Sequence, residues 1–339
     1  MATLRHDAVS DEWVILAPER ASRSNGSGPG RPLLPSYEPE CPFCPGNEET
    51  TPAEIGRSPR TGPWRHRVMP NLYPAVSPGL DAAVPVEPEL VGAFPGAERA
   101  AAGAHEVVVE SPLHNQRLDE MPTDDLAAVL RTWRDRSMAL SGQPGVRAVV
   151  VFKNFGERAG ISVVHPHSQI IATPVVPPEV MRRAEVAARY HHEHGRSVFL
   201  DLAERELAEG VRLVGVSPGF VAITPFASRL PYETWVIPFE QQASFTTLRD
   251  DQAPHLATLL RDVAGALRRS AGDPDYNLVV HTAPVGQEGV PFLQWYIRVL
   301  PRVMTAAGFE LGSGMWINCV APERAAATLR ESLVPAATG

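Results

Sequence analysis

Two histidines, a serine and a glutamine stand inside an otherwise apolar run, ISVVHPHSQIIATP at 161–174. In an extended chain alternate side chains share a face, so His165, His167 and Gln169 project to one side while Val164, Ser168 and Ile170 turn to the other. Pro166 removes a ladder donor, which suits an edge or an interrupted strand. Imidazoles gathered in this way bind metal, attack an electrophile, or sit hydrogen-bonded in a core. Upstream, CPFC supplies Cys41 and Cys44 at a spacing that lets two thiolates grip one zinc ion, whose tetrahedral shell needs two more ligands. The third cysteine, Cys319, is distant, so histidines must complete the set. His114 and His165 are best placed by motif, with His105 a competitor. The alternative is a redox pair or two buried thiols. A redox C-x2-C opens a helix, whereas Pro42, Pro45 and Gly46 make a turn, which favours a metal.

Between these motifs, NFGERAGIS brings Asn154, a turn through Gly156 and Gly160, and Ser162 directly ahead of the histidines. Loops of this type present backbone N–H groups that cradle phosphate oxygens. The HHEH run, His191, His192 and His194, falls on an expected helix where only the first and last share a face. It reads as a solvated surface.

The elements that must position these groups alternate along the chain. DEWVILAP (11–18), HRVMPNLYPAV (66–76), HEVVVESPLHN (105–115) and VRAVVVFKN (146–154) read as strands or strand-like. TDDLAAVLRTWRDRSMAL (123–140) is the clearest helix, with Thr123 as a cap and Leu126, Val129, Leu130 and Trp133 on one face. Residues 178–209 are helical with a break near HGRS, a further helix covers about 251–270, and a short one lies near 322–332. Segments 22–40 and 77–104, rich in Gly, Pro, Ser and Ala, are expected as loops. The second half reads as a worn copy of the first. HEVVVESPLH (105–114) lays on YETWVIPFEQ (232–241), and the histidine run lays on FLQWYIRVLP (292–301). That places Gln294 opposite His165, Tyr296 opposite His167 and Arg298 opposite Gln169.

The 339 residues allow one large domain or two ordinary ones, and 44% hydrophobic with 21% charged residues is an ordinary globular composition. A net charge of −8 with no basic block argues against nucleic acid as a partner. No run approaches the about eighteen apolar residues of a membrane span, and three cysteines build no disulfide scaffold. A soluble, cytoplasmic protein is expected.

The motifs together resemble the galactose-1-phosphate uridylyltransferase family of the histidine-triad superfamily. SPLHN and CPFCPGN are similar to its zinc-binding segments, NFGERAGISVVHPHSQ to its active-site segment, and APERASR and PNLYPAV to its phosphate- and nucleoside-binding stretches. The resemblance implies an α+β fold of two fused histidine-triad-like half-barrel repeats, an antiparallel sheet flanked by helices. Residues 1–195 would carry the zinc site and nucleophile, and 196–339 would be a degenerate repeat forming part of a sugar-phosphate pocket. It implies that His167 attacks the α-phosphorus of a nucleotide sugar and expels hexose 1-phosphate. The nucleotidyl-histidine then passes its NMP, UMP in the first reading, to a second sugar phosphate. Gln169 and Ser162 would assist. Arg20, Arg23, Asn71, Asn154, Gly160 and Arg298 would bind substrate, and structural Zn2+ would sit on Cys41, Cys44, His114 and His165. A homodimer is implied as well. Several uridylyltransferases of that family hold a second iron or zinc through a glutamate and three histidines. Here His281 stands alone of the three, with Tyr296 and Arg298 in the other places, so no second metal is expected. Gln169 stands where hydrolytic relatives carry another histidine, and a carboxamide cannot move a proton to activate water. Transfer is therefore favoured over hydrolysis. The alternatives are an NDP-sugar phosphorylase with the same covalent step, a nucleotide hydrolase, and a zinc-stabilised binding protein without activity.

Overall fold

The computed structural model describes residues 1–23, 31, 33–78, 89–90, 97–98 and 100–333. Much of the expected loops at 22–40 and 77–104 lies outside the described residues. In chain order the strands are β1 Thr3–Asp7, β2 Glu12–Leu16, β3 Gly56–Ser58, β4 His66–Pro70, β5 Glu89–Leu90, β6 Ala97–Glu98, β7 Ala104–Val109, β8 Ala148–Phe155, β9 His167–Thr173, β10 Leu213–Ser217, β11 Phe220–Ile223, β12 Thr234–Pro238, β13 Tyr276–His281, β14 Tyr296–Pro301 and β15 Trp316–Asn318. The helices are α1 Thr123–Ser141, α2 Pro178–His194, α3 Val198–Glu209, α4 Ala253–Ser270, α5 Gly308–Ser313 and α6 Pro322–Glu331.

Ten strands form one antiparallel sheet in the order β10-β11-β12-β14-β13-β8-β9-β7-β4-β3. Its centre is the β8–β13 pair, with Val151 opposite Val280. Moving outward from that pair, one side runs β9, β7, β4, β3 and the other β14, β12, β11, β10. α1 links β7 to β8 and α4 links β12 to β13. The pairings Val107–Gln169 and Trp235–Arg298 make Val107 the counterpart of Trp235. That register is one residue beyond the one obtained by laying 105–114 on 232–241.

The pleat sorts side chains onto two faces. On one, Val108, Val151, Ile170, Leu278, Val280, Ile297 and Val299 pack under α1 and α4 in the main core, with Leu126, Val129, Leu130 and Trp133 of α1 wholly buried. Truncating one of these leucines to alanine costs about 2–5 kcal/mol. Trp133 also donates its indole N–H to Ser168 Oγ at 2.7 Å, tying α1 to the strand that carries His167. The other face carries His105, Val107, His167, Gln169, Phe152, Val279 and Arg298, because each pairs with or stands two residues from another of the set. Over the C-terminal half this second face is covered by α2 and α3, whose Ala187, Val198 and Phe199 pack on Val221, Trp235, Ile237 and Tyr296.

Thr123 does not cap α1. The N-cap is Pro122, and the Thr123 hydroxyl accepts a hydrogen bond from Arg261 instead. The α2–α3 break falls where HGRS predicts it, at Gly195 with φ +70°. Strand β4 stops at Pro70 rather than running to residue 76, and the histidine strand starts only at His167, so residues 161–166 form its approach. Among the described residues no helix is long and apolar enough to cross a membrane.

Candidate active site and metal centre

The turn CPFC and two histidines converge at one end of β9. Cys41 Sγ lies 3.7 Å from His165 Nδ1, and Cys44 Sγ lies 3.6 Å from both His165 Nδ1 and His114 Nδ1. All four residues are buried, and their ligand atoms lie within 4.8 Å of one another. Tetrahedral zinc with bonds of about 2.3 Å to sulfur and about 2.0 Å to nitrogen spaces neighbouring ligands roughly 3.3–3.8 Å apart. Two soft thiolates with two imidazoles therefore fit such an ion, and binding would draw the widest pair in. His165 Nε2 donates to Ser111 O at 2.7 Å, which leaves Nδ1 free as the ligand atom. Burial pushes the His165 pKa down to about 4, so the ring is neutral, as a ligand must be. His105 takes no part in this group.

Two residues on, His167 opens β9 almost fully buried. Its Nδ1 lies 2.8 Å from His165 O. A carbonyl can only accept, so Nδ1 carries the proton and Nε2 holds the lone pair. Burial holds this ring below the usual histidine range and the Lys153 charge adds to that, against the opposite pull of the hydrogen bond to His165 O and, less, of Glu110. At neutral pH the group is thus a neutral imidazole with a fixed tautomer. Phe43 of the CPFC turn stands edge-on to it, ring centroids 5.4 Å apart. Behind it, on the helix side of the sheet, Lys153 donates to Glu110 at 2.6 Å and to His167 O at 3.4 Å.

Gln169 lies on the same face as His167, one pleat along. Its Oε1 lies 2.7 Å from His105 Nε2 and 3.4 Å from Asn71 Nδ2. Asn71 Oδ1 accepts from the Tyr73 N–H at 2.9 Å, which fixes that carboxamide. Asn154, at the end of β8, accepts from Asn277 Nδ2 at 2.7 Å and reaches Gly160 O at 3.5 Å, so it braces the 156–160 turn. Gly156 has φ +88°, and a Cβ there would meet Asp275 Oδ1 at 1.9 Å, so the turn needs glycine. Gly160 also has positive φ, and Ser162 is exposed in the approach to β9.

Arg20 is exposed on the 3-10 turn Pro18–Arg23, and among the described residues no hydrogen bond or ion pair joins it to His167 or Gln169. The Arg23 side chain lies outside the described residues. Arg298 shares a row with Gln169 through Phe152 and Val279, three strand spacings or about 14 Å away. Its Nε and one terminal nitrogen both donate to Glu233 Oε1, at 3.1 and 2.7 Å, and both partners are buried. It lines a cavity of about 380 Å3 with Val150, Glu179, Arg229, His281 and Arg302. His281 stacks on Tyr296, 4.8 Å between centroids, and both of its ring nitrogens face Arg183. Desolvation, then the charges of Arg183, Arg298 and Arg229, hold its pKa well below the usual range. Among the described residues the one His/Cys/acidic group spaced to hold an ion is that of Cys41, Cys44, His114 and His165.

Sequence reasoning passed over the Lys153–Glu110 pair and the His105–Gln169 contact. A signal existed for each, namely a charged or ring-nitrogen side chain within VVVFKN and HEVVVES, where apolar residues would otherwise continue.

Residues 1–177 match the model of the galactose-1-phosphate uridyl transferase N-terminal domain, and residues 183–303 that of its C-terminal domain. An ADP-glucose phosphorylase from Arabidopsis thaliana is 34% identical over 97% of this chain and 92% of its own length. A galactose-1-phosphate uridylyltransferase from Thermotoga maritima is 28% identical over 98% and 99%. A crystal structure of an Arabidopsis thaliana ADP-glucose phosphorylase with bound ADP-glucose superposes with a TM-score of 0.84 at 32% identity, covering 98% of each chain. A uridylyltransferase structure gives 0.73 at 26% identity, again covering 98% of each.

Proposed function

The chain belongs to the galactose-1-phosphate uridyl transferase family, and from that footing we propose that it moves a nucleoside monophosphate from a nucleotide sugar to a phosphate acceptor through His167. In the first step Nε2 attacks the α-phosphorus, a P–N bond forms, and the P–O bond to the sugar phosphate breaks. In the second an acceptor phosphate oxygen attacks the same phosphorus and the imidazole leaves. The observation that carries the reading is the Nδ1–H donated to His165 O, which leaves a buried neutral Nε2 lone pair beside Gln169. That tautomer attacks without first losing a proton, and His165 O faces the positive charge that grows on the ring. Gln169 Nε2 donates to a non-bridging oxygen as charge builds there. Asn154 and the Gly156–Gly160 turn hold the diphosphate, with Ser162, Asn71, Arg20 and Arg23 as further contacts and Arg298 on the sugar-phosphate side. Zinc on Cys41, Cys44, His114 and His165 is structural in this reading and fixes the approach to His167.

For the substrate, greater likeness to the ADP-glucose phosphorylase supports an ADP-sugar donor and inorganic phosphate as acceptor, with ADP and hexose 1-phosphate as products. The second reading, UMP transfer from UDP-glucose to a hexose 1-phosphate, draws on the family match and the Thermotoga maritima relative. We also read residues 1–195 and 196–339 as fused half-barrel repeats, supported by the mirrored strand order on either side of the β8–β13 pair. A homodimer and a cytoplasmic setting belong to the same reading. ADP-glucose and UDP-glucose, each offered with phosphate, galactose 1-phosphate or water alone, test it by product chromatography. ADP with glucose 1-phosphate is expected from ADP-glucose and phosphate. Turnover confined to UDP-glucose with galactose 1-phosphate would install the second reading, and NMP release into water alone would defeat both.

A further inference from the structure

We propose that His105 is a positioning residue for Gln169, fixing which end of that carboxamide meets the substrate phosphate. This rests on the reading of Gln169 given above. The Ala75 N–H donates to His105 Nδ1 at 3.1 Å, and a backbone N–H can only donate. His105 is therefore the tautomer with a proton on Nε2, and that N–H points at Gln169 Oε1 2.7 Å away. Asn71 Nδ2 lies 3.1 Å from His105 Nε2 and 3.4 Å from Gln169 Oε1. Because Nδ1 already accepts from Ala75, the protonated Nε2 cannot take the amide hydrogen, and the oxygen is the acceptor left for this second, longer bond. With its Oε1 held by two N–H groups, Gln169 keeps its NH2 turned to the opposite side, and NH2 is the end that can stabilise a phosphoryl oxygen. A free carboxamide turns about its last torsion between two nearly equivalent orientations, one of which sets carbonyl oxygen against phosphate oxygen. His105 removes that orientation before substrate arrives.

The fold holds the arrangement tightly. His105 and Gln169 sit on neighbouring antiparallel strands, both on the functional face, with His105 directly opposite Ile171 and thus diagonal to Gln169. His105 is 9% exposed, and its own carbonyl accepts from the Asn71 N–H at 2.8 Å, so ring and backbone are both anchored. The position competed for the metal by sequence, yet its ring reaches neither cysteine and serves the neighbouring strand instead.

His105→Phe keeps a ring of similar size and removes both hydrogen bonds, while His105→Gln restores an amide that can accept from Ala75 and donate to Gln169. The measurement is the single-turnover rate of nucleotidyl transfer to the zinc-loaded enzyme, alongside the apparent donor affinity and bound zinc. His105→Phe is expected to slow that rate by about tenfold to a hundredfold, a fraction of what loss of a whole transition-state donor does. Donor affinity should change little, zinc should remain, and His105→Gln should recover most of the rate. In a Gln169→Ala background the same His105→Phe change should alter the rate less than about twofold, because the group being positioned is gone. An equal loss in both backgrounds would make His105 merely structural and overturn the proposal, as would a full rate for His105→Phe. If the phenylalanine variant does not fold, failure of His105→Gln to retain at least a tenth or so of the rate overturns it. A wild-type protein that takes up no nucleotide sinks the transferase reading itself, which is a different result.

Discussion

Replacing Lys153 by methionine strips the counter-charge from Glu110 in a place where water cannot compensate. Lys153 Nζ stands 2.6 Å from Glu110 Oε2 with side chains 2% and 1% exposed, and among the described residues Glu110 Oε1 has no hydrogen-bond partner. At an effective dielectric constant of about 20 the gross attraction at that separation is about 6 kcal/mol. Withdrawing each ion from water costs several kcal/mol, so the pair adds little net stability while each partner depends heavily on the other. Lys153→Met should therefore cost about 3–5 kcal/mol, a large share of the about 5–15 kcal/mol that holds a folded protein. Joining it to Glu110→Leu removes both charges, keeps the volume, and should bring the cost back to about 1 kcal/mol or less. Urea unfolding of the zinc-loaded protein, followed by tryptophan fluorescence and far-UV circular dichroism, reads both from the shift of the midpoint at constant slope. A single variant that loses under about 1 kcal/mol, or a double variant as unstable as the single one, would refute the argument.

Zinc should be present at one equivalent, and a chelator that removes it should lower both the melting temperature and nucleotide uptake, since His165 sits two residues from His167; Cys44→Ser should do the same, as read by metal analysis and calorimetry. Gly156→Ala forces a Cβ onto Asp275 at φ +88° and should cost about 1–3 kcal/mol, with a raised KM for the nucleotide sugar as the turn proposed to hold the diphosphate shifts. Burial keeps His66 below the ordinary histidine pKa, against the pull of Asp125 and Glu110. The unfolded chain then binds a proton that the folded one refuses, so this share of stability is complete above about pH 6.5 and is lost as pH falls towards the depressed folded value. Denaturation midpoints at pH 7.5 and 5.5 should show the loss, and His66→Gln should reduce it.

How far this was legible in the sequence depended on whether a side chain announces its partner. The two thiolates of a candidate metal site declare themselves through C-x2-C, while the choice of His114 and His165 over His105 rested on motif, and the structure does gather Cys41, Cys44, His114 and His165. The α1 face was equally readable, because Leu126, Val129, Leu130 and Trp133 follow the helical period and all are buried. Strand ends were not. Alternation through ISVV continues the pattern of the strand proper, yet Val164 is 47% exposed and pairing begins at His167 beyond Pro166. β1 and β15 lack a strong pattern because they form a small separate sheet with β2, partly solvated. Partners on different strands were the least visible: His105 could serve cysteine thiolates or a carboxamide, and only the β7–β9 register decides between them.

The claim on which the rest depends is that His167 Nε2 attacks phosphorus. The direct measurement is intact mass after brief exposure to a nucleotide sugar without acceptor, followed by phosphorus NMR and peptide mapping of the trapped species. The account predicts one added nucleoside monophosphate per chain, as a phosphoramidate on His167, discharged by phosphate and absent from His167→Gly. An adduct on any other residue, or turnover in the His167→Gly variant with no adduct at all, would contradict it.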